Sequence, residues 1–335
     1  MNDEFYHEPV MLEETTRYLL GTETGSNDST GNNGSTGSND TADTVSRVYV
    51  DCTLGGGGYT KKILESAAGS SKVIAIDRDV NAIEHSKKVL KEFGERVLFF
   101  KGNFSEIKNA AASFGFETLS GIVMDLGLST YQLSSEDGFS YQRDTELDMR
   151  AGKDQSLTAK DVLNTYSEKE LARLLFEYGE MRYSRQIAKE ITLRRSEKKF
   201  TTTFDLVRLL EEKVPPRFLN SDLSRLFQAI RIEVNGELEN LEKVLKSGAE
   251  LLEEGGRIVA VSYHSLEDRI VKNSLRANEK LRVLTKKPLE PGEEETGRNV
   301  RARSAKLRAA EKDSTGGKIS KNKYQNKSLN RNSGS

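Results

Sequence analysis

Asp51-Cys52-Thr53-Leu54 runs directly into Gly55-Gly56-Gly57-Gly58-Tyr59, and no other stretch constrains the fold of this chain as much. Arg47–Val50, just before it, reads as a short buried strand, and Thr60–Ala67, just after it, reads as a helix. A strand that feeds a helix through glycines lets a ligand approach the backbone at the carboxyl end of a sheet. The next predicted strand, Lys72–Ile76, delivers Asp77, whose carboxylate is placed to accept hydrogen bonds from both hydroxyls of an adenosine ribose. Such a cluster can also be no more than a tight turn, but the downstream acid weighs against that.

The same pattern suits two adenosine cofactors, a nicotinamide dinucleotide and S-adenosylmethionine. Gly55 and Gly57 fit the first two glycines of G-x-G-x-x-G, yet the third position falls on Thr60. Asp51, at a strand end, suits the cationic amino-acid end of S-adenosylmethionine better than a pyrophosphate.

Beyond the loop, strands and helices alternate. Asn81–Phe93 and Phe104–Phe114 are predicted helices, and Val97–Phe100, Gly121–Met124 and Arg257–Ser262 are predicted strands. This order implies a parallel α/β sheet with right-handed crossovers. The alternation stops between about Ser129 and Asp222, where Thr158–Asn164, Glu168–Phe176, Arg185–Arg195 and Phe204–Val214 read as charged helices. A long helix near Leu223–Leu252 and a turn at Gly255-Gly256 restore it, and Arg282–Thr285 and Ala305–Ala310 supply two closing edge strands. The expected organisation is a sheet domain from residues 1–128 and 222–312, an inserted helical domain over 129–221, and a basic flexible tail over 313–335. Gly21–Thr44 is nearly all Gly, Ser, Thr, Asn and Asp, and is expected to be a disordered loop.

No run of eighteen apolar residues exists, and the N-terminus lacks the pattern of a signal or transit peptide, so the expectation is a cytoplasmic protein with no membrane partner. Cys52 is the single cysteine, which excludes an internal disulfide and a cysteine-rich zinc site; no metal is expected. Net charge is −1, but from Arg298 to Arg331 there are eleven Lys/Arg against Glu311 and Asp313. That imbalance suits an anionic partner such as RNA, and equally a solvated terminus.

Several ordered motifs carry a resemblance. They are His7-Glu8-Pro9-Val10-Met11-Leu12, Asp51–Tyr59, Ala75-Ile76-Asp77-Arg78-Asp79, Gly102-Asn103-Phe104, Asp125–Leu133, Leu147-Asp148-Met149-Arg150, Phe227–Ile232, Ser262–Arg269 and Arg301–Arg308. Together they resemble the bacterial RsmH/MraW-type ribosomal RNA small subunit (cytosine-N4)-methyltransferases over nearly the whole chain. The resemblance implies a Rossmann-like class I methyltransferase sheet with an inserted helical substrate-binding domain. It also implies S-adenosylmethionine as cofactor, and the small ribosomal subunit, through a 16S rRNA cytidine near the decoding centre, as partner. A homodimer is left open. The implied cofactor contacts are Gly57, Gly58, Tyr59, Asp77, Phe104, Asp125 and Gln132. Tyr59 stands where the family usually has His, and Ser129-Thr130-Tyr131-Gln132 replaces a usual Ser-Ser-Pro-Gln.

Methylating an exocyclic amine needs acceptors that draw the amino protons and free the nitrogen lone pair toward the methyl carbon. Asp125 is the catalytic candidate for that role, with cofactor binding alone as its plainer alternative. Asp148 and Arg150 are candidates for reading base or phosphate, or else pair with each other; His264 is either a substrate contact or a structural hydrogen-bonder. Asp268 and Arg269 are expected to pair at a helix start. Arg182, Arg185, Lys189, Arg194, Arg195, Lys198 and Lys199 are expected to grip RNA phosphates, or to form a solvated helix face. Two other classes compete. A nicotinamide oxidoreductase leaves Asp51 unexplained, and a non-catalytic ribosome-assembly factor retaining the fold is separated by a methyl-transfer assay.

Overall fold

The computed structural model describes residues 9–22, 46–127, 137–153 and 155–313. The chain divides into two compact units, one of Glu8–Gly127 with Leu241–Ser335 and one of Met1–His7 with Leu128–Asn240.

The first unit is built on a seven-stranded sheet in the order β3-β2-β1-β4-β5-β7-β6. The strands are β1 (Val48–Asp51), β2 (Lys72–Asp77), β3 (Val97–Lys101), β4 (Leu119–Asp125), β5 (Leu252–Ser262), β6 (Leu281–Val283) and β7 (Lys306–Lys312). β1 to β5 pair in parallel, and β7 runs antiparallel between β5 and β6. Of the two strands expected to close the sheet, only β6 is an edge; β7 is inserted beside β5.

Side chains alternate cleanly across the sheet. Val48, Val50, Ile74, Ile76, Ile122, Met124, Ile258 and Ala260 share one core with α4 (Ile107–Ser113), α10 (Glu237–Leu251) and α11 (Ser265–Ala277). Tyr49, Val73, Ala75, Val123, Val259 and Val261 share the opposite core with α1 (Leu12–Leu20), α2 (Gly58–Ser66) and α3 (Val80–Val89). Burial on both faces explains why the strands read as short continuous apolar runs. Gly121 lets α1 close on the sheet: a Cβ there would lie 2.8 Å from Leu19 and 2.9 Å from Tyr49.

The second unit is helical. α5 (Ala159–Thr165), α6 (Glu168–Glu177), α7 (Ser184–Glu197) and α8 (Thr203–Lys213) each lie within two residues of their predicted bounds. Thr158, Ser167 and Thr202 start α5, α6 and α8 through reciprocal capping boxes with Asp161, Glu170 and Asp205. Apolar residues at helical spacing, such as Leu171, Leu174 and Leu175, or Leu206, Leu209 and Leu210, meet in one core.

The long helix expected near Leu223–Leu252 is two helices. α9 (Pro216–Asn235) opens on proline at its first turn, and Gly236, in a left-handed conformation at φ 58°, separates it from α10. The helical unit consequently runs to Asn240, where the sequence reading ended the insertion at residue 221. Gly21 and Thr22 are also not loop: the N–H of each bonds the Arg17 carbonyl and closes α1. The rest of the expected loop, and the tail beyond Asp313, lie outside the described residues. Six of the eleven basic residues counted from Arg298 are among the described residues, and Arg308, buried in β7, is paired with Asp268 at 2.6 Å. Asp268 therefore reaches across to β7.

Candidate cofactor site

Parallel pairing sets the ends of β2, β1 and β4 side by side, and each ends in an acid: Asp77, Asp51 and Asp125. Asp51 is fully buried. Its carboxylate accepts the Thr53 N–H at 3.1 Å and the Thr60 hydroxyl at 2.8 Å. The Thr53 hydroxyl accepts the Asp125 N–H at 2.8 Å, which locks the end of β1 to the end of β4. Thr60, the residue that breaks the dinucleotide fingerprint, thus holds the central acid.

Asp77 shapes the glycine loop. Its two oxygens accept the Gly55 N–H and the Asp79 N–H, both at 2.9 Å. Gly55 and Gly57 adopt φ of 50° and 84°, a region that favours glycine. Gly58 is glycine for another reason. A Cβ there would lie 2.3 Å from the Pro9 ring, so the contact is with the chain's own N-terminal segment. Tyr59 is buried, and its hydroxyl donates to the Val10 carbonyl. Its side chain is therefore a fastener for the segment before α1, which leaves only its backbone for a ligand. Phe104 is half-buried just past β3, in a turn capped by the Asn103 side chain.

Beyond β5 the chain adds Tyr263, which the sequence reading passed over although it adjoins His264. Its ring lies on Gly127, where a Cβ would sit 2.6 Å from the ring edge, and the Arg301 guanidinium is 5.9 Å from the ring centre. The Tyr263 hydroxyl and the Asp125 carboxylate are both buried and near each other, but neither that hydroxyl nor Asp125 Oδ1 completes a hydrogen bond of good geometry among the described residues. His264 starts α11 instead: its Nδ1 accepts the Glu267 N–H at 3.4 Å and Nε2 lies 3.0 Å from Glu267 Oε1. Gln132 lies outside the described residues.

The three acids make the site electron-rich. Burial pushes Asp51 up to about 6 against the Thr60 and Thr53 bonds, and the charges of Asp77 and Asp125 push it the same way. Burial likewise raises Asp125 to about 6, against the nearby Tyr263 hydroxyl and the charge of Arg301. Asp77 is raised too, by burial, opposed by the loop N–H groups. A ligand bearing positive charge relieves all three; a pyrophosphate meets three carboxylates. The sulfonium and ammonium of S-adenosylmethionine fit this donor set and a dinucleotide does not.

In the helical unit, Asp148 and Arg150 form a two-pronged ion pair at 2.7 and 2.9 Å, and Lys153 joins Asp148 at 3.0 Å. Burial notwithstanding, those cations hold Asp148 down to about 2. Asn235 clamps the same segment by accepting the Ala151 N–H and donating to the Met149 carbonyl, each at 2.8 Å. Three of the seven cations of the expected phosphate grip are engaged within the unit. Arg194 pairs with Glu190 and Glu212, Arg195 donates to the Leu163 and Tyr166 carbonyls, and Lys198 faces Asp205.

A family model, the MraW methylase family, matches residues 4–313. The chain belongs to that family. Two relatives are each called "Ribosomal RNA small subunit methyltransferase H". The one from Carboxydothermus hydrogenoformans is 43% identical, over 92% of this chain and 98% of its own length. The other, from Thermotoga neapolitana, is 43% identical over 93% of this chain and 98% of its own length. This chain is thus a methyltransferase on a Rossmann-like sheet, and its methyl donor is S-adenosylmethionine. Among the described residues no helix is long and apolar enough to cross a membrane.

Proposed function

We propose that this chain methylates the N4 amino group of a cytidine in the 16S rRNA of the small ribosomal subunit, near the decoding centre, in the cytoplasm. One observation carries the substrate class: relatives named for small-subunit ribosomal RNA match it across more than nine-tenths of both chains. The finer assignment, cytidine N4, follows the motif resemblance and agrees with a buried carboxylate oxygen at the end of β4.

S-adenosylmethionine, when bound, supplies an electrophilic methyl group. Asp77 would accept hydrogen bonds from the ribose hydroxyls, and Phe104 would pack on the adenine. Asp51 balances the cationic end through its charge while Thr53 and Thr60 fix its position. The backbone at Gly57, Gly58 and Tyr59 lines the approach, and Gln132 contributes from the segment after β4. Asp125 Oδ1 would accept a hydrogen bond from the amino group of the base and so localise the lone pair on its nitrogen, while the bound cofactor would supply the methyl group. Asp148 and Arg150 act as a pre-formed pair whose guanidinium face meets base or phosphate, and His264 orients the start of α11 beside Tyr263.

Mass spectrometry of small-subunit RNA from cells with and without the protein tests this reading. Loss of a single N4-methylcytidine supports it. An unchanged modification profile, together with a subunit-assembly defect, would instead make the chain a non-catalytic assembly factor.

A further inference from the structure

Between α6 and α7 the helical unit carries a groove with a volume of about 860 Å³. Phe176 and Tyr183, 65% and 61% exposed, stand in its lining. Two large aromatics left in solvent within one groove are unexpected in a unit that has its own apolar core. Lys169, Arg182 and Arg185 line it too, all exposed, and none of the three has an ion pair among the described residues. Within the lining Arg173 is paired with Glu177, and elsewhere on this unit most cations among the described residues are neutralised, as Arg194 is by Glu190 and Lys160 by Glu146. One acid, Glu168, stands against the three free cations of the lining.

The groove is held in shape. Lys169, Arg173 and Phe176 fall on one stripe of α6 at helical spacing. The turn that presents Arg182 and Tyr183 is anchored by buried Met181, whose N–H bonds the Leu175 carbonyl at 3.1 Å. Gln228 ties down the Tyr178 carbonyl at 2.9 Å, and Gly179 has a Cβ direction blocked at 2.7 Å by the Leu175 carbonyl. Glu180 is held at φ 50°, a strained conformation for a residue with a side chain. A turn fixed at this many points holds its exposed aromatic and cation ready before any ligand arrives.

We propose that this groove binds an unpaired RNA segment, one base stacking on Tyr183 or Phe176 while Lys169, Arg182 and Arg185 hold the flanking phosphates. Aromatic faces joined to free cations are what single-stranded nucleic acid requires, because every base has a face to stack and every linkage a charge. Duplex RNA offers phosphates without free base faces, and an apolar protein surface would leave three cations unmatched. The proposal rests on the RNA-substrate reading and adds the place and the kind of contact.

Two sets of surface variants test it in the full-length protein: Phe176→Ala with Tyr183→Ala, and Lys169→Ala with Arg182→Ala and Arg185→Ala. Binding is measured on unstructured and duplex oligoribonucleotides across a salt series, with methylation kinetics on small subunits and calorimetric S-adenosylmethionine affinity alongside. The aromatic pair is expected to weaken single-strand binding at least fivefold and to raise KM with little change in kcat; Tyr183→Trp retains affinity, whereas Tyr183→Leu does not. The cation triple should flatten the log–log salt slope by about two. Unchanged binding, slope and kinetics in variants with normal cofactor affinity overturn the groove. So does a loss on assembled subunits only, which points to a ribosomal protein contact. A wild-type protein that neither binds nor methylates RNA overturns the RNA reading beneath it.

Discussion

Asp77 is asked to do two things with one carboxylate, and the two separate by substitution. Its oxygens already hold the Gly55 and Asp79 N–H groups, so Asp77→Ala strips the loop of its tether as well as the ribose of its acceptor. Asp77→Asn keeps the shape and one acceptor oxygen while removing the charge. S-adenosylmethionine affinity in Asp77→Asn is expected to fall by about 1.5–3 kcal/mol, the range for charge-assisted bonds, with a smaller loss of stability than in Asp77→Ala because one of the two loop N–H groups keeps its acceptor. Asp77→Ala should lose both affinity and stability. Calorimetric affinity unchanged in a folded Asp77→Asn would remove the ribose assignment. Gly58 makes the complementary case, since its missing side chain faces Pro9 at 2.3 Å and not a ligand. A proline ring cannot swing aside as a long side chain would, so Gly58→Ala should displace the segment before α1. The expected stability loss is about 1–3 kcal/mol by denaturant titration, the usual cost of overpacking.

Three adjacent strands each ending in an acid couple binding to pH. Burial raises both Asp51 and Asp125 to about 6, so their ionisation costs the free protein stability, and that cost grows as pH climbs from about 4 to about 6. A bound cation favours the ionised carboxylates and lowers their pKa, so binding releases protons below pH 6. Affinity must therefore rise with pH through about 6 and level off above it. At pH 5 the loss relative to pH 7.5 is expected to approach about tenfold for each carboxylate required in ionised form. A flat affinity profile from pH 5 to 7.5 would show that the acids do not face the cofactor's charge. Much of this element-level arrangement was legible beforehand, because strands buried on both faces leave continuous apolar runs and each run here stops at its acid. Thr60 was read only as a missing glycine, since no periodic pattern marks one hydroxyl as the partner of a distant carboxylate. Tyr263 was missed because a tyrosine at a strand end looks the same whether it packs or points. The break at Gly236 was passed over because helical periodicity continues through a single left-handed residue, and only the flanking helices' packing reveals it. Spacing along α7 likewise cannot show that Arg194 meets Glu212 of α8 or that Arg195 turns to the Leu163 and Tyr166 carbonyls, which engages part of the expected phosphate grip.

At the scale of the molecule, each unit closes its own core. The apolar residues that bury one another in the helical unit, from Phe139 to Val234, form one cluster, and the two faces of the sheet form two more. The helical unit enters at Leu128 and leaves at Asn240, inside a chain whose sheet order is otherwise uninterrupted. A unit with its own core that is spliced into another can be removed without opening the host's core, provided the linker spans the gap. Replacing residues 137–235 with a flexible Gly/Ser linker, while keeping Leu128–Glu136 so that Gln132 remains, is therefore expected to give a folded protein. The acids at the ends of β1, β2 and β4 and the capped turn at Phe104 all belong to what is retained. S-adenosylmethionine affinity should stay within about tenfold of the full chain, a margin of about 1.4 kcal/mol. Methyl transfer to small subunits should fall to background, because the groove with Phe176 and Tyr183 and the Asp148–Arg150 pair leave with the insertion. Calorimetry and a tritium-transfer assay on the same preparation separate the outcomes. A folded shortened protein that no longer binds the cofactor would mean that the insertion completes the cofactor site. One that still methylates subunits would deny the helical unit any part in holding RNA.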